Sequence, residues 1–307
     1  MDSILARGSN YFDIRGLPVA VRVSQSHPGS DDPPAHPYDL TTINHHHDFC
    51  ELVFVTHGFG TQCLEGKDLP VKAGDVFLFQ GHQSHYFHHR DHLKLINVMY
   101  REELIGQHGN HFKQMPGYGA MFLLEPSHRK RHNFASSLSL SREQLTSVED
   151  ILSVMISEQE SKDPGFEVVI RAKLLELITY VSRAYMGVEK TSESQSLLRI
   201  SKLISVMENT YEKNWTLDEF VKLSGMSKSS LLLTFRKAVG QTPLAYLLSL
   251  RIQRAGELLK SSSRQITDIA YEVGFNDSNY FTRQFKQITG HTPRDFREKF
   301  SEIKGSL

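Results

Sequence analysis

The residues best suited to metal binding or catalysis lie in 44-NHHHDFCELVFVTHG-58, where three histidines precede an acid and a run of strand formers. Residues two apart in a strand share a face, so His45, His47 and Glu51 project together if no bulge intervenes. His85 can join them from a neighbouring strand. Three imidazoles and one carboxylate suffice to coordinate a first-row divalent metal. A small-molecule pocket, a hydrogen-bonded structural cluster and a solvated loop end are the alternatives.

The sequence around these residues favours a strand-rich domain. From about residue 10 to 125, short runs such as 51-ELVFV-55 and 93-LKLINVMY-100 alternate with turn signals such as 57-HGFG-60. This spacing is typical of an antiparallel sandwich or barrel. We therefore predict an antiparallel β-barrel over residues 1–140, with a Pro-rich loop at 26-SHPGSDDPPAHP-37.

The hydrophobic period changes after this region. The segment 141-SREQLTSVEDILSVMISEQE-160 opens with a serine cap and has a helical apolar stripe. A second stripe follows the break at 162-KDPG-165, which gives a helical pair over residues 141–186. Such a pair packs against its own domain or pairs with a second copy of the chain. The polar segment 187-GVEKTSESQS-196 has no period and is predicted to be a linker.

The composition sets limits on the class of protein. With 307 residues, the chain is long enough for two domains that each bury a core. No apolar run approaches the ~20 residues that a membrane helix requires. The N-terminus lacks the layout of a secretory signal. Cys50 and Cys63 are predicted to be free thiols, so we expect a cytoplasmic protein with no membrane partner.

The net charge of zero conceals two halves of opposite charge. Residues 197–307 contain 17 Lys and Arg against 11 Asp and Glu, a formal charge of +6, and residues 1–196 carry −6. Of the 16 histidines, 15 precede residue 197. Different chemistry in the two halves indicates two domains with different partners, and +6 permits nucleic-acid binding.

The second half also contains an internal repeat, since 224-SGMSKSSLLLTFRKAVGQTP-243 is similar to 273-VGFNDSNYFTRQFKQITGHTP-293. The matched positions, offset by 50 residues, are Phe235 with Phe285, Gly240 with Gly290, Thr242 with Thr292, and Pro243 with Pro293. Two similar units in tandem predict an all-α domain over residues 197–307.

A short amphipathic helix precedes each repeat, with a small or β-branched residue four positions before a glycine. The small residue allows a close helix crossing, and the glycine supplies a left-handed turn. The pattern predicts two helix-turn-helix motifs, whose second helices enter the DNA major groove. Plain helical hairpins are the alternative. The helix predicted over 243–260 would hold the two motifs at a fixed separation.

At these residues the chain resembles the AraC/XylS family of bacterial transcription regulators, through 251-RIQRAGELL-259, 266-ITDIAYEVGFNDSNYFTRQFKQITGHTPRDFR-297 and the weaker first copy. The resemblance implies two helix-turn-helix motifs that read double-stranded promoter DNA. The base-contact positions that it implies are Ser229, Leu232 and Leu233 in the first motif, and Asp277, Ser278, Asn279, Thr282 and Arg283 in the second.

The first motif departs from the family pattern at its two leucines, where relatives usually have a long polar or basic side chain. Leucine cannot hydrogen-bond a base edge, although it can contact a thymine methyl group; packing in the core is the alternative role. We therefore expect the second motif to supply most of the hydrogen-bonded base readout. The basic residues expected to contact the DNA backbone are Lys228, Arg236, Lys237 and Lys286.

The spacing H-x-H-x3-E-x6-G at 45–58 resembles the first motif of the cupin barrels, and Gly74 and His85 fit part of the second. Within the regulator family, 45-HHHDFCELVFVTHGFG-60, 95-LINVMYR-101 and 276-NDSNYF-281 resemble the L-rhamnose operon activators. That resemblance implies a sugar effector in a cupin-like or jelly-roll barrel, a homodimer and activation of RNA polymerase. The residues expected to bind the effector are His45, His47, Glu51, His85, Tyr86 and Asn97, with Phe49 as an alternative aromatic face.

Three functions are compatible with these patterns. The first is a transcription regulator, expected to be an activator, of carbohydrate-utilisation genes. It binds a monosaccharide in the N-terminal barrel, with L-rhamnose as first choice. Such a regulator requires no cofactor and is not an enzyme. The second is a metal-dependent cupin enzyme that acts on sugars and has a DNA-binding tail, with a divalent metal at His45, His47, Glu51 and His85. The third is a regulator whose barrel senses no ligand and serves assembly.

Overall fold

The structure, a computed structural model, describes residues 3–12, 16–25, 41–81, 83–106, 109–125, 138–187 and 192–304. The chain divides into two compact units, Met1–Leu198 and Arg199–Leu307. The first unit is strand-rich with helices, and the second is helical. This confirms the predicted α+β two-domain class. The predicted Pro-rich loop at 26–37 lies outside the described residues.

Eight strands of the first unit form one sheet. They are β1 Ile4–Ala6, β2 Val19–Gln25, β3 His45–His47, β4 Cys50–Leu64, β5 Lys67–Lys72, β6 Asp75–Gln80, β7 His85–Tyr100 and β8 Leu138–Ser139. Their order is β1-β3-β7-β4-β6-β8, with β2 also paired to β7 and β5 to β4. The pairs are antiparallel as predicted, except that β1 runs parallel to β3. A long connection separates these two strands, and such a connection permits parallel pairing.

The long strands β4 and β7 present two buried faces. Alternate residues such as Leu52, Phe54 and Val98 belong to the cluster that includes the helices of the first unit. We call this the helix-covered face. The opposite side, the interior face, is lined by a second cluster: Val53, Val55, Leu64, Val71, Phe77, Phe79, Phe87, Leu93 and Leu95. Because this cluster includes residues from β4, β5, β6 and β7, the sheet bends over its own interior.

In the described part of the first unit, β7 is followed by a 3-10 turn at Glu102–Leu104 and then by longer helical segments. They are α1 Gly109–Lys113, α2 Pro116–Tyr118 with its π-helical continuation Gly119–Leu124, α3 Arg142–Ser161 and α4 Phe166–Gly187. Ser141 caps the start of α3, as the sequence predicted, and forms a capping box with Gln144. The buried sides of α3 and α4 pack on the helix-covered face. The predicted helical pair is therefore present over these residues.

A side chain of α3 also closes one edge of the sheet. The backbone N–H of Val21 in β2 donates to Gln159 Oε1 at 2.7 Å, and Gln159 Nε2 donates to the carbonyl of Val21 at 3.0 Å. The amide thus pairs with both backbone groups of one edge residue, in the way a neighbouring strand would.

The predicted linker is shorter than expected. Residues 188–191 lie outside the described residues, and α5, Ser192–Asn209, begins within the segment 187–196. Ser194 and Leu197 are both fully buried on this helix, while Ser196 Oγ donates to the carbonyl of Ser192 at 2.8 Å. Serines that satisfy their hydroxyls within a helix can lie on its packed side, so polar composition alone did not reveal the start of α5.

The second unit consists of the rest of α5 and six further helices. They are α6 Leu217–Ser224, α7 Lys228–Val239, α8 Pro243–Ser261, α9 Ile266–Glu272, α10 Ser278–Thr289 and α11 Pro293–Lys304. The pairs α6–α7 and α9–α10 are the two predicted helix-turn-helix motifs, and α8 is the predicted joining helix, which packs against both. Throughout the part of the chain that the structure describes, every helix is too short or too polar to span a bilayer.

The turn glycines of the two motifs behave as the sequence predicted, but their surroundings differ. Gly225 has φ +61° and Gly274 has φ +91°, both in the left-handed region. A Cβ atom on Gly225 would meet nothing within 4 Å, whereas one on Gly274 would lie 2.5 Å from the backbone oxygen of Glu212. Glycine at position 274 is therefore required for two reasons: the left-handed backbone conformation and the close approach of the Glu212 backbone.

This difference predicts unequal costs for the same substitution. We expect Gly225→Ala to lower the free energy of unfolding of the second unit by about 1 kcal/mol, from backbone strain alone. Gly274→Ala should cost roughly 3 kcal/mol or more, because the backbone must also move. Urea unfolding followed by the fluorescence of Trp215, the single tryptophan, measures both. Equal losses of unfolding free energy in the two variants would contradict a steric role for the Glu212 backbone at Gly274.

Candidate functional site

Strands β3, β4 and β7 bring the predicted histidines and Glu51 together. His45 is paired with His85 across β3 and β7, and their ring centroids lie 4.4 Å apart. His47 and Glu51 lie on the two sides of the short break between β3 and β4. All four side chains are buried, with 7% of His45 and 5% or less of the other three exposed. The alternation read from the sequence therefore holds through residue 51.

Backbone carbonyl groups fix the orientation of two of these rings. His45 Nδ1 donates to the carbonyl of Ile43 at 2.8 Å, and His47 Nδ1 donates to that of Phe49 at 2.7 Å. A carbonyl oxygen can only accept, so in the neutral rings Nδ1 carries the proton and Nε2 carries a lone pair. His45 and His47 thus each present an acceptor, or a metal ligand, on the second nitrogen.

The carboxylate of Glu51 lies at the centre of the cluster. Its Oε2 lies 3.1 Å from His85 Nε2, within hydrogen-bond distance, and 3.3 Å from His47 Nε2, while His85 Nδ1 lies 3.2 Å from the carbonyl of Gln83. The second contact lacks hydrogen-bond geometry, and among the described residues His47 Nε2 has no hydrogen-bond partner. Three imidazoles in the neutral form carry three N–H donors, while the carbonyls of Ile43, Phe49 and Gln83 and the Glu51 carboxylate can only accept, so the site has more acceptors than donors. A group that brings hydroxyl donors, or a cation, would relieve this imbalance.

Burial is the main influence on how the cluster ionises. It lowers the pKa of His45 to about 4, and the neighbouring His85 adds to the effect. Burial likewise lowers the pKa of His85, although Glu51 opposes the shift. For Glu51, burial raises the pKa, but the imidazoles of His47 and His85 outweigh it and hold that pKa below its usual range. At pH 7 an ionised carboxylate therefore lies among neutral imidazoles of His45 and His85.

Aromatic rings form walls beside the cluster. The ring of His85 stacks on Phe79 with a centroid distance of 3.7 Å and an angle of 8°. His47 stacks on Phe49 at 4.5 Å and 10°. These contacts hold the imidazoles rigidly, and Phe49 is the aromatic neighbour that the structure brings to the site.

The remaining two predicted pocket residues have different positions. Asn97 lies opposite Val53, and Glu51 lies opposite Met99, so Asn97 and Glu51 are diagonal neighbours on the interior face. Asn97 Oδ1 is buried without a hydrogen-bond partner among the described residues. Tyr86 follows His85 directly in β7, pairs with Cys63 and therefore points to the opposite face. The structure does not bring Tyr86 into the cluster.

Sequence reasoning missed one polar residue of the interior face, Gln62 of β4. Its side chain is fully buried, and it lies opposite Phe87 in the sheet. Alternation could not have placed it, because the register of β4 against β7 shifts three times between Val55 and Thr61.

In the second unit, the predicted base-contact residues of α7 lie on its outer side. Leu231 and Phe235 are buried, whereas Ser229, Arg236 and Lys237 are exposed. Leu233 is 58% exposed, so its alternative role in core packing is wrong, while Leu232 is half-buried. Lys228 is exposed and lies 3.9 Å from Asp218. The two leucines thus add an apolar patch to an otherwise polar surface.

The helix α10 has the more polar outer surface. Asn279, Arg283 and Lys286 are exposed, and Ser278 and Thr282 are half-buried. The Arg283 guanidinium lies 6.0 Å from the centre of the Tyr280 ring. Asp277 caps the helix by accepting from the backbone N–H groups of Asn279 and Tyr280, at 2.7 and 2.8 Å. Its carboxylate is therefore already engaged at the start of α10.

Lowering the pH from 7 to 5 is expected to destabilise the first unit. The unfolded chain takes up protons on His45 near the ordinary pKa of 6.5, while the folded chain does so near 4. The stabilising contribution is complete above pH about 6.5 and is lost as the pH falls toward 4, with about 2 kcal/mol lost by pH 5. Scanning calorimetry at several pH values measures it.

The matched variants are His45→Asn and His57→Asn, since His57 is an exposed histidine of the same sheet. The first should flatten the pH dependence of the unfolding temperature, and the second should leave it unchanged. A steep, unaltered profile in His45→Asn would show that the acid sensitivity arises elsewhere.

Two family models match the chain. One is described as an AraC-like ligand binding domain and matches residues 33–178, and the other is described as a helix-turn-helix domain and matches residues 221–299. Among curated proteins, the HTH-type transcriptional activator RhaS of Escherichia coli O1:K1 / APEC is 28% identical over 256 residues, which cover 83% of this chain and 87% of that protein.

Two solved structures each match about a third of the chain. The C-terminal domain of the response regulator yesN from Fusobacterium nucleatum is 31% identical, with 31% of this chain and 93% of that chain covered and a TM-score of 0.30. A transcriptional regulator with an AraC-type DNA-binding domain from Chromobacterium violaceum is 28% identical, with 33% and 91% covered and a TM-score of 0.32.

The two family models together match most of the chain, one in each unit, and the order of the two domains is the one predicted. The chain therefore combines an AraC-like ligand-binding domain with a helix-turn-helix DNA-binding domain, the two domains of a transcription regulator rather than of an enzyme.

Proposed function

We propose that the first unit binds a monosaccharide on the interior face and that this binding controls the transcription of carbohydrate-utilisation genes. The observation that carries the proposal is the buried cluster around Glu51, where acceptors outnumber donors. Sugar hydroxyl groups supply donors to the Glu51 carboxylate and to His47 Nε2, the atom that has no partner among the described residues.

The side chains beside the cluster suit the apolar faces of a sugar ring. The apolar C–H faces of a pyranose can pack on aromatic and aliphatic side chains, and Phe49 and Val53 provide such surfaces beside the cluster. A few polar groups in an otherwise apolar concave site are typical of small-molecule pockets. L-rhamnose is the sugar that we propose first, because the N-terminal blocks resemble the L-rhamnose operon activators.

The relative supports the direction of regulation. RhaS is named a transcriptional activator, and we propose that this chain likewise activates transcription through RNA polymerase, as a homodimer on double-stranded promoter DNA. For the sugar to control DNA binding, it must bind two states of the protein with different affinities.

A divalent metal is the second candidate ligand of the same cluster. Donor atoms of His45, Glu51 and His85 all lie within 4.8 Å of one another. The Nδ1 contacts of His45 and His47 with backbone carbonyls are also the arrangement that commonly orients imidazole ligands toward a metal. A bound metal would polarise sugar hydroxyl groups, and the residues that would hold it are these three with His47.

For the second unit, we propose that α10 supplies most of the hydrogen-bonded base readout. Asn279 and Arg283 are exposed, and their side chains are of the types that pair with adenine and guanine. The contribution of α7 to base selection is then apolar contact from Leu232 and Leu233. Lys228, Arg236, Lys237 and Lys286 hold phosphates.

Calorimetric titration of the full-length protein with a panel of monosaccharides, with and without promoter DNA, tests the sugar proposal. We expect L-rhamnose to bind and to change the affinity for DNA. Glu51→Gln should weaken sugar binding about 10- to 100-fold, because it replaces a charged acceptor by a neutral one. Glu103→Gln, the same change at an exposed position of this unit, is the control.

Failure of every sugar to bind, or sugar binding that leaves both DNA affinity and transcription unchanged, would overturn the proposal. Metal analysis of the same preparation separates the two candidate ligands. A stoichiometric metal would support the metal candidate, and a metal-free protein that still responds to sugar would exclude it.

Substitution in the two recognition helices tests the assignment of base readout. Arg283→Ala should relax base preference at one position of the site, with a loss of discrimination of about 1–3 kcal/mol. Arg236→Ala should weaken all sequences alike and reduce the salt dependence of binding. Binding of cognate and single-substituted sites at several salt concentrations measures both. A larger loss of preference in Leu233→Ala than in Arg283→Ala would contradict the assignment.

A further inference from the structure

Gln62 carries an unsatisfied amide in the interior of the first unit. Its side chain is 0% exposed, and neither Oε1 nor Nε2 has a hydrogen-bond partner among the described residues. A buried amide without partners has lost its hydrogen bonds to water and gained none in return, which destabilises the fold. Such a cost is unusual in a native protein and is expected where the polar group meets a ligand.

The sheet places this amide beside the histidine and Glu51 cluster. Leu64 of β4 lies opposite His85, and Gln62, two residues earlier, lies opposite Phe87. Residues opposite each other share a face, so Gln62 and His85 are diagonal neighbours on the interior face. Leu64 and Phe87 both belong to the interior cluster, which confirms the direction in which Gln62 points.

Together with the diagonal pair of Asn97 and Glu51, this produces a polar strip across the interior face. The strip runs in the order Asn97, Glu51, His85, Gln62, and three of its members have an unpartnered or ionised acceptor. Apolar residues of the interior cluster flank it. A ligand on this face can therefore contact Glu51 at one end and Gln62 at the other.

The chemistry of the amide limits the group that it can bind. A carboxamide presents one acceptor and two donors side by side in a plane. Two adjacent hydroxyl groups match it, since one can donate to Oε1 while the other accepts from Nε2. An anionic group can accept from Nε2 but cannot donate to Oε1, and an apolar group forms neither hydrogen bond.

We propose that Gln62 is a specificity-determining residue of the effector pocket, which binds two adjacent hydroxyl groups of the sugar and selects for effectors that carry both. The inference rests on the proposed function, since it names a residue of the same pocket. His85 and Glu51 then bind other hydroxyl groups of the same molecule.

Titration of the full-length protein with L-rhamnose and with its 2-, 3- and 4-deoxy derivatives tests the inference in wild type and in Gln62→Leu. Leucine keeps the approximate volume and removes both polar atoms. We expect L-rhamnose to bind the variant about 10- to 100-fold more weakly, as the loss of two hydrogen bonds predicts. A deoxy sugar that lacks one hydroxyl of the bound pair should lose much less, because that part of the interaction is already absent.

Two further measurements distinguish recognition from a structural role. Without sugar, Gln62→Leu should unfold at an equal or higher temperature than wild type, because an unpaired buried amide is replaced by an apolar group. Thr61→Val is the control, since Thr61 adjoins Gln62 and points to the other face; it should leave sugar affinity unchanged. Gln62→Met serves as a second variant if the leucine variant does not fold.

The outcomes separate the two proposals. If no sugar of the wider panel binds the wild-type protein, the proposed function is overturned and this inference with it. If L-rhamnose binds wild type and both Gln62 variants equally well, the pocket stands and the role of Gln62 is overturned. A uniform loss of affinity for L-rhamnose and all of its deoxy derivatives would also overturn it, since a distorted pocket explains that result.

Discussion

The alternation of side chains along β4 is the constraint on which the first unit depends. Leu52 and Phe54 face the helices, whereas Glu51 and Val53 face the interior. A slip of one residue would exchange these sets, placing a carboxylate among the apolar residues of α3 and α4. The packing that fixes the helices on the sheet therefore also fixes Glu51 in the pocket. The same register of β4 therefore determines both the packing of the helices on the sheet and the position of the candidate ligand-binding carboxylate.

Much of this arrangement is predictable from the sequence, for identifiable reasons. His45, His47 and Glu51 could be placed on one face because the short break between β3 and β4 preserves the alternation of side chains. The two helix-turn-helix motifs could be identified because each has a glycine at the turn and a capping residue, Ser227 or Asp277, before the second helix. These signals act over a few residues and do not depend on the rest of the fold.

The residues that were missed or misplaced depend on contacts distant in sequence. Tyr86 was grouped with His85 by composition, although adjacent strand residues point to opposite faces. Gln62 lies beyond three shifts of register between β4 and β7, and the sequence does not show where such shifts occur. The start of α5 was hidden by serines, whose burial depends on packing. Long-range geometry decides each of these positions.

The contact of Gln159 with Val21 has a consequence for how copies of this chain can associate. An exposed strand edge offers its backbone groups to any other strand, and this is a common route to aggregation or to joined sheets. At Val21 both groups are already bound by a side chain from α3. Another strand cannot extend the sheet at that point without displacing the glutamine. One amide thus protects the sheet edge at Val21 against pairing with a strand of another chain.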